Sequence, residues 1–343
     1  MSPAINPSTV PPMVAFFNNK GGVGKTSLVY HLSWMYRDLG LRVLAADFDP
    51  QANLTSAFLD EDRLEEIWLH AEQPNTVFRC FQPLIRGIGD IAAPRLETID
   101  EGLALLNGDL QLSSFEDDLS DEWPGCLDRK ERSFRVISAF WRLLQQAASA
   151  HRADIVLIDL GPNLGAINRS ALIAADHVVV PLSPDLYSLQ GLKNLGPTLL
   201  RWREEWKERI ARNPAADLRL PQGQMQPIGY IVLQHAVRLD RPVKAFQRWI
   251  AKIPDTYHGE VLAESTAEIK QSLSVADDPV CLALLKNYQS LMPMAQEAHK
   301  PMFHLKPADG AIGSHVSAVQ RAQQDFQHLA RKIAESIQLS IPT

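Results

Sequence analysis

The sequence is poor in several features that mark specialised classes of protein. It has three cysteines among 343 residues, and they form no CxxC or CxxH pair. This excludes a disulfide framework and a cysteine-ligated zinc site, and it favours a reducing compartment. No run of 18 uninterrupted apolar residues occurs, and the ten histidines form no HxH or HxxxH pair. Neither a transmembrane helix nor a common histidine metal motif is therefore predicted.

The two ends of the sequence lack recognisable targeting signals. Residues 1–12 are polar and proline-rich, without a basic segment followed by an apolar one. We expect them to form a disordered tail, too short for a separate helix-turn-helix DNA-binding domain. Residues 337–343 contain no Lys, Arg or aromatic residue, so no amphipathic membrane anchor is expected. The expectation is a cytoplasmic protein without membrane contact.

Charge is distributed unevenly along the chain. The formal net charge is -6, which argues against a protein that binds nucleic acid with its whole surface. Residues 57–128 contain 17 acidic and 4 basic residues, whereas residues 201–252 contain 11 basic and 5 acidic residues. An acidic and a basic region on one chain can serve different partners, although most charge runs are simply solvated surface. Both interpretations remain open at this point.

Short apolar runs alternate with helical patterns over most of the chain. Strands are predicted at residues 13–18, 42–47, 103–106, 155–159, 177–182 and 227–233. Helices are predicted at residues 28–39, 134–150, 165–174, 186–212, 243–253 and 314–337. This order predicts an α/β protein whose mostly parallel, twisted sheet is covered by helices on both faces. We expect a single domain over residues 13–338, an acidic insertion around residues 57–132 at the sheet edge, and a short tail at residues 339–343.

A glycine-rich turn lies between the first strand and the first helix. Its residues are Lys20, Gly21, Gly22, Val23, Gly24, Lys25, Thr26 and Ser27. Glycines at such a turn let backbone N–H groups surround a phosphate, and the helix N-terminus adds partial positive charge. In a phosphate-binding loop, Lys25 contacts the β- and γ-phosphates and the Thr26 hydroxyl ligates Mg²⁺. The segment therefore predicts a site for the phosphates of a nucleotide and for Mg²⁺.

The loop departs from the usual pattern, because Asn19 stands where a first glycine is expected and Lys20 follows it. KGGVGKT is the deviant Walker A motif, and the chain resembles the ParA/MinD family of P-loop ATPases. Three further segments resemble that family in order: Asp47–Asn53, the Walker B strand Ile155–Asp159, and Ser188–Leu192. The resemblance covers residues 13–195 and implies a weak, partner-stimulated ATP hydrolase.

The resemblance implies a role for each acidic residue and for the first lysine of the motif. Asp49 would orient or deprotonate the attacking water, and Asp159 would hold Mg²⁺. Asp47 would either support the metal or cap the local loop, and both alternatives stay open. Lys20 would reach across a homodimer to the partner's nucleotide. Together with Lys25, Lys20 and Asp49 are the predicted catalytic residues.

Two segments depart from the family. The chain has Asp159-Leu160-Gly161-Pro162 where the family often has Asp-Thr-Pro-Pro, which implies hydrolysis that is slow or differently triggered. Residues 233–238 also differ from the family's pattern, so no adenine contact is assigned there.

Two functions follow from the resemblance and the charge pattern. The first is a ParA-like switch that binds nonspecific double-stranded DNA as an ATP dimer, is reset by a ParB-like partner, associates with the nucleoid, and positions a plasmid, chromosome or other cargo. Its candidate DNA contacts are Arg238, Arg241, Lys244 and Arg248. The second is a nucleotide-switch subunit of a multiprotein complex, such as a defence or secretion system, with little DNA binding. Amide-forming enzymes that use a similar loop are less favoured, because the Asp47–Asn53 segment accompanies the switch ATPases.

Overall fold

A computed structural model describes residues 10–70, 75–234, 248–264, 274–286, 288 and 290–342. Eight strands form one sheet in the order β3-β4-β2-β5-β1-β6-β7-β8. They are β1 (Met13–Phe16), β2 (Val43–Asp47), β3 (Glu97–Asp100), β4 (Leu103–Leu106), β5 (Ile155–Asp159), β6 (His177–Leu182), β7 (Gln226–Gln234) and β8 (Cys281–Lys286). All neighbouring strands run parallel except β3 and β4, which are antiparallel. The predicted α/β fold with a mostly parallel sheet is therefore confirmed.

Helices connect the strands on both sides of the sheet. They are α1 (Lys25–Asp38), α2 (Asn53–Phe58), α3 (Glu61–Glu65), α4 (Val77–Ile85), α5 (Glu116–Gly125), α6 (Glu131–Ile137), α7 (Ala139–His151), α8 (Ala166–Ala174), α9 (Leu186–Ile210), α10 (Ile253–Thr256), α11 (Leu291–Glu297) and α12 (Ser314–Ser336). None of the helices within the described ranges is long and apolar enough to cross a membrane.

Alternate residues of the central strand β1 point into two separate hydrophobic cores. Met13 and Ala15 pack with α7 and with residues of α4 and α5, whereas Val14 and Phe16 pack with α1 and α12. Side chains on successive strand residues point to opposite faces, so a strand that is apolar throughout is buried on both sides. This two-sided burial explains why β1, β2, β4 and β5 contain no exposed position.

The structure differs from the sequence prediction in its finer divisions. The predicted helix over residues 134–150 is two helices, α6 and α7, which meet at Ser138; its hydroxyl bonds back to the Phe134 carbonyl at 2.6 Å. Such back-bonding competes with helix continuation. Strands β3 and β8 and helices α2, α3, α4 and α11 were not predicted. Of the helix predicted at residues 243–253, residues 243–247 lie outside the described part of the chain, as do residues 1–9 of the predicted tail.

The acidic segment 57–132 contains β3, β4 and helices α3 to α5, together with the first residues of α6. Strand β4 pairs with β2, and β3 forms the edge of the sheet. Helix α5 packs on α6 and α8, so this segment contacts the helix that follows β5.

Candidate nucleotide site

The glycine-rich loop joins the end of β1 to α1 at the carboxyl edge of the sheet. Gly22 and Gly24 have φ values of +72° and +73°. A side chain strongly disfavours this left-handed conformation, which explains the two glycines. Gly24 is the N-cap of α1, where no side chain caps the helix. The free N–H groups of the first turn are therefore available to an anion.

A cavity of about 720 Å³ opens in front of this loop. Of the loop residues predicted to bind the nucleotide, those that line it are Gly21, Gly22, Val23, Gly24, Lys25, Thr26 and Ser27. Asp49 and Pro162 lie on its wall as well. The structure thus brings the P-loop and one predicted catalytic carboxylate to a single cavity.

Lys25 is a buried cation at the base of the cavity, with 6% of its surface exposed. Its Nζ donates to the carbonyl oxygens of Asn18 and Lys20 at 3.3 and 3.4 Å. Burial lowers the pKa of Lys25, and the carboxylates of Asp159 and Asp49 partly oppose that shift. An anionic phosphate at this position would favour the charged ammonium.

Thr26 and Asp159 form the second polar element of the site. The Thr26 hydroxyl donates to Asp159 Oδ2 at 2.6 Å. Asp159 is fully buried, and within the described part of the chain its Oδ1 has no hydrogen-bond partner. Burial and the neighbouring carboxylate of Asp47 raise the pKa of Asp159 well above its usual value. A hydroxyl beside an unsatisfied buried carboxylate oxygen is a donor set that fits Mg²⁺.

Asp47 and Asp49 follow β2 and have different surroundings. Asp47 is fully buried; its Oδ2 accepts from the Thr55 N–H and hydroxyl at 2.8 and 2.7 Å, and its Oδ1 accepts from the Asp49 N–H at 3.2 Å. Burial raises the pKa of Asp47 to about 7. Of the two alternatives for Asp47, these hydrogen bonds favour capping of the local loop over support of the metal. Asp49 faces the cavity, with its Oδ1 held by the Gln51 N–H at 3.0 Å.

Lys20 is oriented differently from the rest of the loop. It does not line the cavity; its Nζ forms an ion pair with Asp185, which caps the N-terminus of α9 by accepting from the Ser188 N–H at 2.9 Å. The pair is partly exposed. In this structure the lysine predicted to act across a dimer is therefore held against α9 of the same chain.

The segment Ser188–Leu192 packs directly on the loop. A Cβ at Gly191 would lie 2.8 Å from Asn19 Oδ1 and 3.2 Å from Asn18 Oδ1, so a larger residue there would force these amides to shift. The Asn18 amide in turn donates to the Pro181 carbonyl at 2.7 Å and ties the loop to β6. These contacts explain why the asparagines and the glycine occur together.

Sequence reasoning missed the outer wall of the cavity. It is built by Tyr30 and His31 of α1 and by residues in and after α11, namely Met292, Ala295, Gln296, His299 and Lys300. None of them belongs to a motif, and α11 is a seven-residue helix about 265 positions after the loop. No signal in a single sequence indicates this contact.

Three of the four candidate DNA contacts, Arg238, Arg241 and Lys244, lie outside the described residues. Arg248 is exposed, and its guanidinium lies 5.3 Å from the centre of the Trp249 ring.

Comparison with known proteins agrees with this geometry. The sequence model of the family described as AAA domain matches residues 12–212, more than half of the chain. The chain belongs to the ParA/MinD family of P-loop ATPases. It is 30% identical to the sporulation initiation inhibitor protein Soj of Bacillus subtilis over 53% of this chain and 62% of Soj. It is also 30% identical to the chromosome partitioning protein ParA of Caulobacter vibrioides over 58% of this chain and 66% of that protein. The matched segment thus spans less than two thirds of either relative.

Solved structures share the fold of this ParA/MinD-family chain over nearly its whole length. A protein of Corynebacterium diphtheriae has a TM-score of 0.70 at 24% identity, covering 95% of this chain and 98% of its own. A plasmid partition protein of Borrelia burgdorferi, bound to AMPPNP, has a TM-score of 0.57 at 16% identity, covering 95% and 99%. Members of this family act in partition or positioning, and they are ATPases.

Proposed function

We propose that this chain is a ParA-like switch: it binds ATP with Mg²⁺, forms a homodimer, binds double-stranded DNA without sequence preference, and is reset by weak, partner-stimulated hydrolysis. In this role it positions a plasmid, chromosome or other cargo in the cytoplasm, on the nucleoid. The observation that carries the proposal is a cavity lined by Lys25, Thr26 and Asp49, with the buried Asp159 hydrogen-bonded to the Thr26 hydroxyl.

ATP would lie along the cavity with its phosphates at the N-terminus of α1. The loop N–H groups and the Lys25 ammonium would hold the β- and γ-phosphates, because both direct positive charge towards the same partly buried space. The base and ribose would extend towards α11, whose residues form the outer wall.

Thr26 and Asp159 would hold Mg²⁺, whose chemistry is to neutralise charge on the phosphate oxygens. The Asp159 carboxylate is kept in place by its strand, and the Thr26 hydroxyl by the first turn of α1. Among the described residues, Asp49 is the carboxylate that lines the cavity, and it would orient the attacking water. Its backbone-anchored Oδ1 fixes the direction of the carboxylate.

Lys20 would act on the nucleotide of the second protomer. A partly exposed ion pair such as Lys20–Asp185 contributes only about 0–1 kcal/mol. Dimerisation can therefore exchange Asp185 for a phosphate at little cost. The same exchange would couple the start of α9 to the nucleotide state.

The DNA step is tested by fluorescence anisotropy of a labelled nonspecific duplex. Protein is titrated with ATP or ADP at two salt concentrations, beside Lys25→Ala. We expect binding that requires ATP and Lys25 and weakens steeply as salt rises, since phosphate contacts release counterions.

Charge reversal locates the DNA surface. The triple substitution of Arg238, Arg241 and Lys244 by Glu should abolish DNA binding and leave ATP turnover intact. A matched triple reversal of three exposed arginines elsewhere is the control: Arg95, Arg321 and Arg331. If ATP binds but no duplex binds under any condition, the DNA switch is refuted and the subunit function takes its place.

A further inference from the structure

Helix α5, in the acidic segment, is hydrogen-bonded to α8, the helix that follows the Walker B strand β5. Its first residue, Glu116, accepts the Ile167 N–H at Oε2 over 2.9 Å and the Ala166 N–H at Oε1. These amides open α8 and have no partner within that helix. A carboxylate there is further stabilised by the helix dipole. A Cβ at Gly165 would lie 2.5 Å from Glu116 Oε1, so a larger residue there would displace this carboxylate.

Helix α8 in turn holds the loop between Asp159 and its own first turn. Asn168 is buried, and its amide donates to the carbonyl oxygens of Gly161 at 2.9 Å and Asn163 at 2.7 Å. A side chain at Gly161 would lie 3.2 Å from Asp49 Oδ1, and Pro162 lines the cavity. The position of α8 therefore fixes the loop that packs against the candidate catalytic carboxylate.

The other end of α5 is fixed by Trp123. The guanidinium groups of Arg169 on α8 and Arg209 on α9 lie over its ring, 4.2 and 4.0 Å from the ring centre. Its indole N–H donates to Glu205 at 3.2 Å, and Arg209 donates to its carbonyl oxygen at 3.0 Å. Helix α5 thus contacts both α8, which follows the loop that contains Pro162, and α9, whose N-cap residue Asp185 pairs with Lys20.

We infer that Glu116 is a positioning residue, which through α8 and Asn168 holds residues 161–163 in the place that water attack at the γ-phosphate requires. This inference rests on the proposed ATP hydrolysis. It assigns to the acidic segment a part in catalysis that its sequence does not indicate. Displacements of about 1 Å at a reacting centre cost up to about 100-fold in rate, so a loosened loop should reduce turnover clearly.

The test compares Glu116→Ala with Asp117→Ala, which removes an exposed carboxylate from the same turn of α5. For Glu116→Ala we expect kcat for ATP to fall about tenfold, with nucleotide Kd within about twofold of wild type. Hydrogen exchange at the amides of residues 161 and 163–167 should accelerate in the same variant. Asp117→Ala should change none of these, and Glu116→Gln, which keeps one acceptor, should fall between.

Each outcome decides the inference. A lower melting temperature with kcat unchanged in the folded protein would mean that Glu116 only caps α8, and the inference would be wrong. Equal effects of Glu116→Ala and Asp117→Ala would also overturn it. If the wild-type chain binds but does not hydrolyse ATP, the hydrolysis step of the proposed function fails. Unchanged hydrogen exchange at residues 161 and 163–167 in Glu116→Ala would then independently refute the claim that Glu116 holds this loop through α8.

Discussion

Removal of one hydroxyl tests the metal site most directly. Thr26→Val keeps the shape and β-branching of residue 26 but deletes the group that donates to Asp159 Oδ2 at 2.6 Å. Because Asp159 Oδ1 already has no partner among the described residues, the buried carboxyl would lose its side-chain donor. Thr26→Ser keeps the hydroxyl and serves as the control.

The size of the stability effect follows from the state of Asp159. A hydrogen bond contributes about 1 kcal/mol when both groups are neutral and about 1.5–3 kcal/mol when one is charged. Burial raises the pKa of Asp159, which favours the protonated form and the lower end of this range. We therefore expect the free energy of unfolding to fall by about 1–2 kcal/mol. With an unfolding entropy of about 2.1 cal/mol/K per residue over 343 residues, the melting temperature should fall by about 1–3 °C.

Nucleotide binding separates the metal role from the structural one. In Thr26→Val the affinity for ATP with Mg²⁺ should fall at least about tenfold, which corresponds to about 1.4 kcal/mol, while affinity in EDTA should change less than about twofold. Urea unfolding and a fluorescent ATP analogue measure the two effects. The reasoning is refuted if Val and Ser behave alike, or if the loss of affinity is the same with and without Mg²⁺.

Two further predictions concern the support of α9 and β8. Gly196→Ala should destabilise the protein by about 2 kcal/mol, because the new methyl group would overlap the backbone carbonyl of Glu260. This loss should outweigh the helix propensity of alanine, which is higher than that of glycine by about 1 kcal/mol. Urea unfolding measures the change in stability, and a stabilised variant would contradict the packing. Burial lowers the pKa of His258, but hydrogen bonds to Asp278 at 3.1 Å and Glu264 at 2.8 Å raise it above its ordinary value overall. The stabilisation by protonated His258 should thus be complete below about pH 6.5 and be lost as the pH rises through its higher folded-state pKa. The difference in unfolding free energy between wild type and His258→Gln should therefore shrink over that pH range. A difference that stays constant with pH would exclude this ion pairing.

Regular buried strands were predictable almost to the residue. Ile155–Asp159 and His177–Leu182 have the predicted bounds, because each is an unbroken apolar run between two cores. The edge strand β3, Glu97–Asp100, was missed, since a half-exposed strand with two acidic residues carries no such run. The division between α6 and α7 was missed because the apolar periodicity continues across Ser138.

By itself, the sequence determined the phosphate loop, the order of the elements and the family, because these depend on neighbours along the chain. Gly22 and Gly24 indicate the left-handed backbone conformation that they adopt, and Lys25 and Thr26 follow them at a fixed spacing. Only the tertiary structure decided that Lys20 pairs with Asp185, 165 positions away.

Tertiary structure alone also decided that α11 closes the cavity and that Glu116 caps α8, 51 positions further along the chain. Such contacts join single side chains from distant elements, and their formation depends on how the helices pack on the sheet. A contact of this kind leaves no period or spacing in one sequence, so its residues look like ordinary polar surface until the fold brings them together.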